Sequence, residues 1–326
     1  GRRDNAYKAR IKILVKAEGQ RFFDAVQAEF RAILDRDVDG AAHIVTQAEF
    51  DSVAASFTVP QGVRAEAEPA ADPAAPRAFA RWVQRNVRGH RVAGHRAVTL
   101  SLKRAGLPPG DATDGQMDAA ADLADRYSHG ELRVTHQQNL VLPWVRAADL
   151  PALWDAARAS GFATPNVGLV TDMIACPGGD YCALANARSI PVAEQITERF
   201  ADIDEQEDLG EVDLHISGCI NSCGHHHSGH IGILGVDKDG AEWYQVTLGG
   251  ADGSSRSGAP TPGKVIGPSF AADEIADAVE AVLDTYRARR QAGESFADTV
   301  RRLGIDDFKA PANAVRRSTA PASAAA

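Results

Sequence analysis

Apolar residues recur at three- and four-residue steps through Phe22, Phe23, Val26, Phe30, Ile33 and Leu34, which predicts a helix with one apolar face. The stretch VRAEAEPAADPAAPRA that follows has no apolar period and is rich in Ala, Pro and Glu, so residues 61–78 read as a linker. Beyond it the period changes. Val98, Leu100 and Leu102 alternate with Thr99 and Ser101 as a half-buried strand, AGLPPGDATDG is a loop, and Asp114 is expected to cap a helix through Met117, Leu123 and Tyr127. ELRVTH and NLVLPWV read as two strands around a polar turn, and Asp149 is expected to cap a helix that stops at Gly161.

Later in the chain DLHIS, HIGILGV and EWYQVTL read as strands. A long helix from about Asp273 to Arg289 carries Ile275, Val279, Val282, Leu283 and Tyr286 on its apolar side. The segment after Lys309 is Ala-rich and is expected to be disordered over 311–326. The order of strands and helices predicts an α+β fold, with helices layered on one face of a sheet.

Composition narrows the classes. The 326 residues are 44% hydrophobic and 24% charged, values of an ordinary globular chain. A formal net charge of -9 speaks against a general nucleic-acid or anionic-membrane binder. No apolar run is long enough to span a bilayer and no secretory signal pattern opens the chain, so the expectation is a cytoplasmic protein.

The four cysteines change the picture most. Cys176 and Cys182 are separated by five residues (CPGGDYC), and Cys219 and Cys223 by three (CINSC). In an acidic, cytoplasmic-looking chain such a group points to a metal or redox site rather than disulfides. Structural zinc sites favour two to four intervening residues, which suits only the second pair. Four thiolates are also the ligand set of an iron–sulfur cluster, which tolerates wider spacings. Gly178, Gly179, Gly218 and Gly224 would let backbone amides approach the sulfurs. On spacing alone both metals stay open, with the cluster favoured.

The surrounding residues carry a resemblance. DMIACPGGDYCALANARSIP, DLHISGCINSCGHHHSGHIGILG, GRRDNAYKARIKILVKAEG and LRVTHQQNLVLPWV, in their order along the chain, resemble the sirohaem-dependent sulfite and nitrite reductase family. The resemblance implies a ferredoxin-like half-domain over 79–165 and a domain of mixed sheet with flanking helices over 166–310, binding a [4Fe–4S] cluster and sirohaem. It makes residues 1–60 the end of a preceding repeat and the chain the C-terminal portion of a longer reductase. It implies Cys176, Cys182, Cys219 and Cys223 as cluster ligands, with Cys223 also the axial ligand of the sirohaem iron. The activity implied is six-electron reduction of sulfite to sulfide or of nitrite to ammonia, where a shared thiolate couples an electron store to the substrate-binding iron.

The same resemblance places Arg10 and Lys12 at the basic pair over the substrate, where cations stabilise a developing oxide and supply protons. On a strand their side chains would share one face; charged strand residues are otherwise usually a solvated edge. Sulfite reductases of the family tend to carry Lys-x-Lys here and nitrite reductases Lys-x-Asn. Arg-x-Lys favours the dianion sulfite. Thr135, Gln138 and Asn139 match positions near sirohaem, although a polar run between two strands is otherwise simply a turn. Arg133, Arg188 and Arg256 are candidate partners of the sirohaem carboxylates by charge. His225, His226, His227 and His230 read as a polar lining of the cofactor in preference to a proton relay. No GxGxxG loop accompanies the strands, so electrons are expected from ferredoxin or a flavoprotein reductase. The reading from another class is a non-catalytic zinc or iron–sulfur protein.

Overall fold

In the computed structural model, residues 11–37, 43–70, 72–254 and 258–317 are described. The chain divides into two units, residues 1–63 and 64–326. The first unit is helical among its described residues: α1 (Ile11–Glu18), α2 (Gln20–Arg36) and α3 (Gln47–Ala55). A capping box starts α3, with Glu49 N donating to Thr46 Oγ1 at 3.2 Å and Thr46 N to Glu49 Oε2 at 2.8 Å. The expected helix through Phe22 and Leu34 is present as α2, yet none of its residues is buried, and Phe23, Val26 and Phe30 are exposed.

The strand expected across Arg10 and Lys12 is corrected at Lys12, where the backbone is helical from Ile11; Arg10 lies outside the described residues. IKILVKAE carries apolar residues at both periods, and no strand lies among the described residues of this unit to pair with it. A helix satisfies its backbone bonds within itself, which a lone strand does not.

The second unit opens with α4 (Arg77–Asn86), β1 (Val87–Gly89), β2 (His95–Leu100), α5 (Asp114–Tyr127), β3 (Arg133–Val134), β4 (Leu140–Arg146) and α6 (Leu150–Ala159). The four strands form an antiparallel sheet in the order β1-β2-β4-β3. Alternation on β2 turns Val98 and Leu100 inward, opposite Leu142 and Leu140 of β4. Trp82, Leu123, Leu153 and Phe162 close the core over them. The cap of α5 is Thr113 rather than Asp114: Thr113 Oγ1 accepts from Gln116 N at 3.1 Å, and Asp114 instead accepts from the neighbouring Gly115 N.

The remaining elements are β5 (Ile174–Ala175), α7 (Ile190–Arg199), α8 (Ile203–Leu209), β6 (Leu214–Ser217), β7 (Ile231–Lys238), β8 (Ala241–Leu248), β9 (Lys264–Val265), β10 (Phe270–Ala271), α9 (Ile275–Arg289), α10 (Phe296–Leu303) and α11 (Asp306–Ala314). They build a mixed sheet ordered β10-β8-β7-β6-β5, with β9 also on β8. β5, β6 and β7 run parallel and the others antiparallel. One rung crosses the sheet from Ala175 through Ile216 and Ile233 to Val246, all buried. Helix α9 buries Ile275, Val279, Val282, Leu283 and Tyr286 in the same core. The chain thus has the fold of a ferredoxin-like half-domain followed by a mixed-sheet domain with flanking helices.

The disordered tail expected from residue 311 is corrected as far as 317. Phe308 and Ala312, one turn apart on α11, are buried, and Arg316 donates to Ser269 O at 2.7 Å with its guanidinium over the Phe270 ring. Alanine-rich composition concealed an anchored helix. Residues 318–326 lie outside the described residues. Among the described residues, no helix is long and apolar enough to cross a membrane.

Candidate functional site

The two cysteine loops meet because two parallel strands end together. β5 leads into Cys176 and β6 into Cys219, with Ala175 opposite Ile216, so both loops leave the same edge of the sheet. Cys176 N donates to Ile216 O at 3.1 Å, and Asn186 and Ala187 both donate to Gly218 O at 2.9 and 3.1 Å. Within each loop Cys182 N donates to Gly178 O at 2.9 Å and Ser222 N to Cys219 O at 3.2 Å. Gly218 N donates to Cys176 Sγ at 3.0 Å, and Ser189 Oγ lies 3.6 Å from the same sulfur.

All four cysteines are free thiols; Cys219 is buried, Cys176 and Cys182 are half-buried and Cys223 is exposed. Two glycines set the contour. Gly178 has φ +62°, and a Cβ there would stand 2.5 Å from Ser189 N. At Gly224 a Cβ would stand 1.9 Å from Ile216 O. No side chain fits at either point.

This arrangement fits an iron–sulfur cluster. Unpaired thiols on interlocked loops, one already accepting a backbone N–H, are the donor set and the outer hydrogen bonding such a cluster needs. Among the described residues no three His, Cys, Asp or Glu side chains form a group that could hold a metal ion, so the fit rests on the contacts between the two loops and on the free thiols they carry.

The histidines divide into two kinds. His225 and His227 are exposed, whereas His226 and His230 are buried, the latter accepting from Asp213 N at 3.1 Å and lying beside the Phe296 ring of α10. His226 Nδ1 lies 3.1 Å from Ser222 Oγ, and Ser222 and His225 hold φ of +59° and +55° on either side of Cys223 and Gly224. Burial, reinforced by the nearby His227 and His215, pushes the His226 imidazole down to about 4, so it is neutral at ordinary pH. His215 Nδ1 donates to His225 O at 3.0 Å, and burial lowers its proton affinity also.

Thr135, Gln138 and Asn139 stand beside the first cysteine loop, lining a 780 Å³ cleft with Pro177 and Tyr181. Their polar atoms are used by the protein. Gln138 Nε2 donates to Ala175 O at 2.8 Å and its Oε1 accepts from Ala175 N at 3.0 Å. Asn139 accepts from Leu102 N and donates to Asp172, and Thr135 Oγ1 closes the turn by accepting from Asn139 N.

Behind the turn lies a polar group the sequence did not reveal. Lys103 Nζ is buried 2.8 Å from Gln137 O, 2.6 Å from Met173 O and 3.7 Å from Asp172 Oδ1. Burial lowers the affinity of this ammonium for its proton, and Asp172 opposes that. Asn166 joins Ser101, Lys103 O and Thr171, and Thr171 passes the chain of bonds to Gln206. These residues follow no apolar period; only their type, polar between strong core segments, could have marked them.

Arg133 pairs with Glu131 and Arg188 with Glu242, both near the surface. Arg10 and Arg256 lie outside the described residues, and of Lys12 only the helical backbone of α1 is described.

Comparison with known proteins places the chain among relatives. Residues 168–316 match the nitrite and sulphite reductase 4Fe-4S domain, and residues 100–160 the nitrite/sulfite reductase ferredoxin-like half domain. An assimilatory ferredoxin-dependent nitrite reductase of Haloferax mediterranei is 28% identical over 234 residues, 67% of this chain and 38% of that protein. A sulfite reductase (ferredoxin) 2 of Mycolicibacterium paratuberculosis is 30% identical over 200 residues, 59% of this chain and 35% of that one. The solved structure of the Mycobacterium tuberculosis NirA protein is similar with a TM-score of 0.58 and 25% identity, over 94% of this chain and 50% of that chain. This chain spans less than two-fifths of the length of these two curated relatives.

Proposed function

Because this chain belongs to the nitrite and sulfite reductase family of sirohaem enzymes, we propose that it supplies the cluster-bearing part of an assimilatory reductase that takes sulfite to sulfide. Cys176, Cys182, Cys219 and Cys223 would hold the [4Fe–4S] cluster, and Cys223, the exposed thiol, would be shared with the sirohaem iron. When bound, the coupled pair would store electrons and pass them to the oxyanion on the iron. The observation that carries the reading is the Gly218 N–H on Cys176 Sγ, made across the two interlocked loops.

The rest is done by the chain. Gly178 and Gly224 keep the two loops at backbone-contact distance. The N–H on Cys176 would withdraw charge from that sulfur when it ligates and so favour the reduced cluster. Arg10 and Lys12 would meet the substrate oxygens. Two cations suit the dianion sulfite better than a cation beside an amide. Nitrite is the second reading, supported by the Haloferax relative being a nitrite reductase. Ferredoxin is the proposed donor, because both curated relatives are named for it. A flavoprotein reductase is the alternative.

The test is anaerobic absorption of the full chain coexpressed with sirohaem synthesis, followed by turnover of sulfite and of nitrite with a reduced dye. Cluster and sirohaem bands that shift with sulfite, and a loss of cluster absorption in Cys182→Ser, are expected. A colourless wild-type chain overturns the reading, and faster turnover of nitrite exchanges the two substrates.

A further inference from the structure

The segment leading to Cys176 is held from the half-domain that precedes it. Lys103 follows β2 by three residues, and its side chain is 1% exposed. An ammonium has three N–H donors, and here it faces three acceptors: Gln137 O, Met173 O and Asp172 Oδ1. Burying such a charge is costly, and a Met of similar length would fill the space without that cost. The position therefore calls for the donors and not for bulk alone.

Both carbonyls lie on segments that matter to the cysteines. Gln137 is in the turn between β3 and β4, and Met173 stands three residues before Cys176. Gln138 then brackets Ala175 with two bonds of 2.8 and 3.0 Å. Asn139 reaches Asp172 Oδ1 at 2.8 Å, while Asp172 Oδ2 accepts from Gly168 N at 2.9 Å. Residues 172, 173 and 175 are thus gripped one after another by the turn and by the lysine behind it. Cys176 itself is tied to the second loop through Ile216 O and the Gly218 N–H.

We propose that Lys103 is a positioning residue for the first cysteine arm: by fixing the carbonyls of Gln137 and Met173 it locks the turn onto the strand that presents Cys176, and so sets where that sulfur stands against Gly218. The inference rests on Cys176 as a cluster ligand for its consequence, but not for its geometry.

The test uses the full chain as wild type, Lys103→Met, and Lys103→Met with Asp172→Asn, the last removing the negative charge that Lys103 faces. Amide hydrogen exchange is read at residues 137–139 and 173–176. The reduction potential and electron-paramagnetic signal of the cluster are read in the loaded chain. In both variants exchange at 173–176 should rise about tenfold or more, and the potential should fall as the Gly218 bond to sulfur loosens.

A folded double variant with wild-type exchange at 173–176 and a wild-type potential overturns the proposal, leaving Lys103 a packing residue. If neither lysine variant folds, Gln138→Ala, which strands no charge, should still raise exchange at 173–176; unchanged exchange there overturns it equally. A wild-type chain that takes up no cluster refutes the proposed function, while the exchange measurement still decides the clamp.

Discussion

The cysteine loops and the polar seam beside them are both tight, for opposite reasons. In the loops the backbone approaches so closely that added atoms have nowhere to go: a Cβ on Gly224 would sit 1.9 Å from Ile216 O, and one on Gly178 2.5 Å from Ser189 N. In the seam every polar atom leans on another. Asn166 joins Ser101, Lys103 and Thr171, Thr171 reaches Gln206, and Asn139 ties Leu102 to Asp172. One region is intolerant of addition and the other of deletion. A site whose donors must stay fixed can be built by steric confinement or by saturating hydrogen bonds, and this chain sets one against the other across the Cys176 arm.

The largest effect should come from breaking the first kind of confinement. Gly224→Ala places its methyl group against main-chain atoms of β6, which cannot swing away as a side-chain tip would. A destabilisation of about 3 kcal/mol is expected, read as a lowered urea midpoint. An unfolding free energy within about 0.5 kcal/mol of wild type would mean that the loop slides freely, and the contrast between loops and seam would fail on its first term.

His226 sits on the loop side but has the seam's vulnerability, since it must stay uncharged. Its affinity for a proton drops from the ordinary 6.5 to about 4 on folding, through burial first and then His227 and His215. The unfolded chain therefore binds more protons between those two values, so this contribution is full above 6.5 and is lost as pH falls toward 4. Stability should drop by about 2 kcal/mol between pH 7 and pH 5. His226→Asn should remove most of that slope, leaving a remainder from His215 and His90, which burial lowers in the same sense. Denaturation midpoints of the variant that fall as steeply as those of the wild type would place the titrating group elsewhere.

Much of this contrast was legible in the sequence on one side only. The glycines around the cysteines announce close backbone approach, and the strands expected at HIGILGV and EWYQVTL are present as β7 and β8. The seam was not legible because its bonds join residues far apart in the chain: Ser101 to Asn166 and Lys103 to Met173. A polar residue at a buried position breaks the apolar period instead of signalling itself. Helices α2 and α9 show the same limit. Both have a clear apolar stripe, but α9 buries its stripe in a core while α2 buries nothing, and periodicity names a face without naming what covers it. Local double fit explains the strand assigned across Arg10 and Lys12, where IKILVKAE satisfies either period and pairing decides. Alanine counts misled at α11 because two contacts one turn apart, Phe308 and Ala312, outweigh composition.

The smallest effect asks whether the seam acts as one unit. Asn166→Ala and Thr171→Val each remove a bond the other residue shares, the 3.0 Å contact from Asn166 Nδ2 to Thr171 Oγ1. Each single change also strands other atoms: Ser101 Oγ loses its acceptor in the first, and Gln206 Oε1 loses a donor in the second. Single costs of about 2 kcal/mol are expected for each. If the bonds support one another, the pair should cost about 1 kcal/mol less than the sum of the singles, because the second deletion removes a partner already idle. Chemical denaturation of the four members of this cycle reads the difference directly. Strict additivity would show independent bonds that happen to adjoin, and the seam would then tolerate single losses in a way the glycine-built loops do not tolerate single gains.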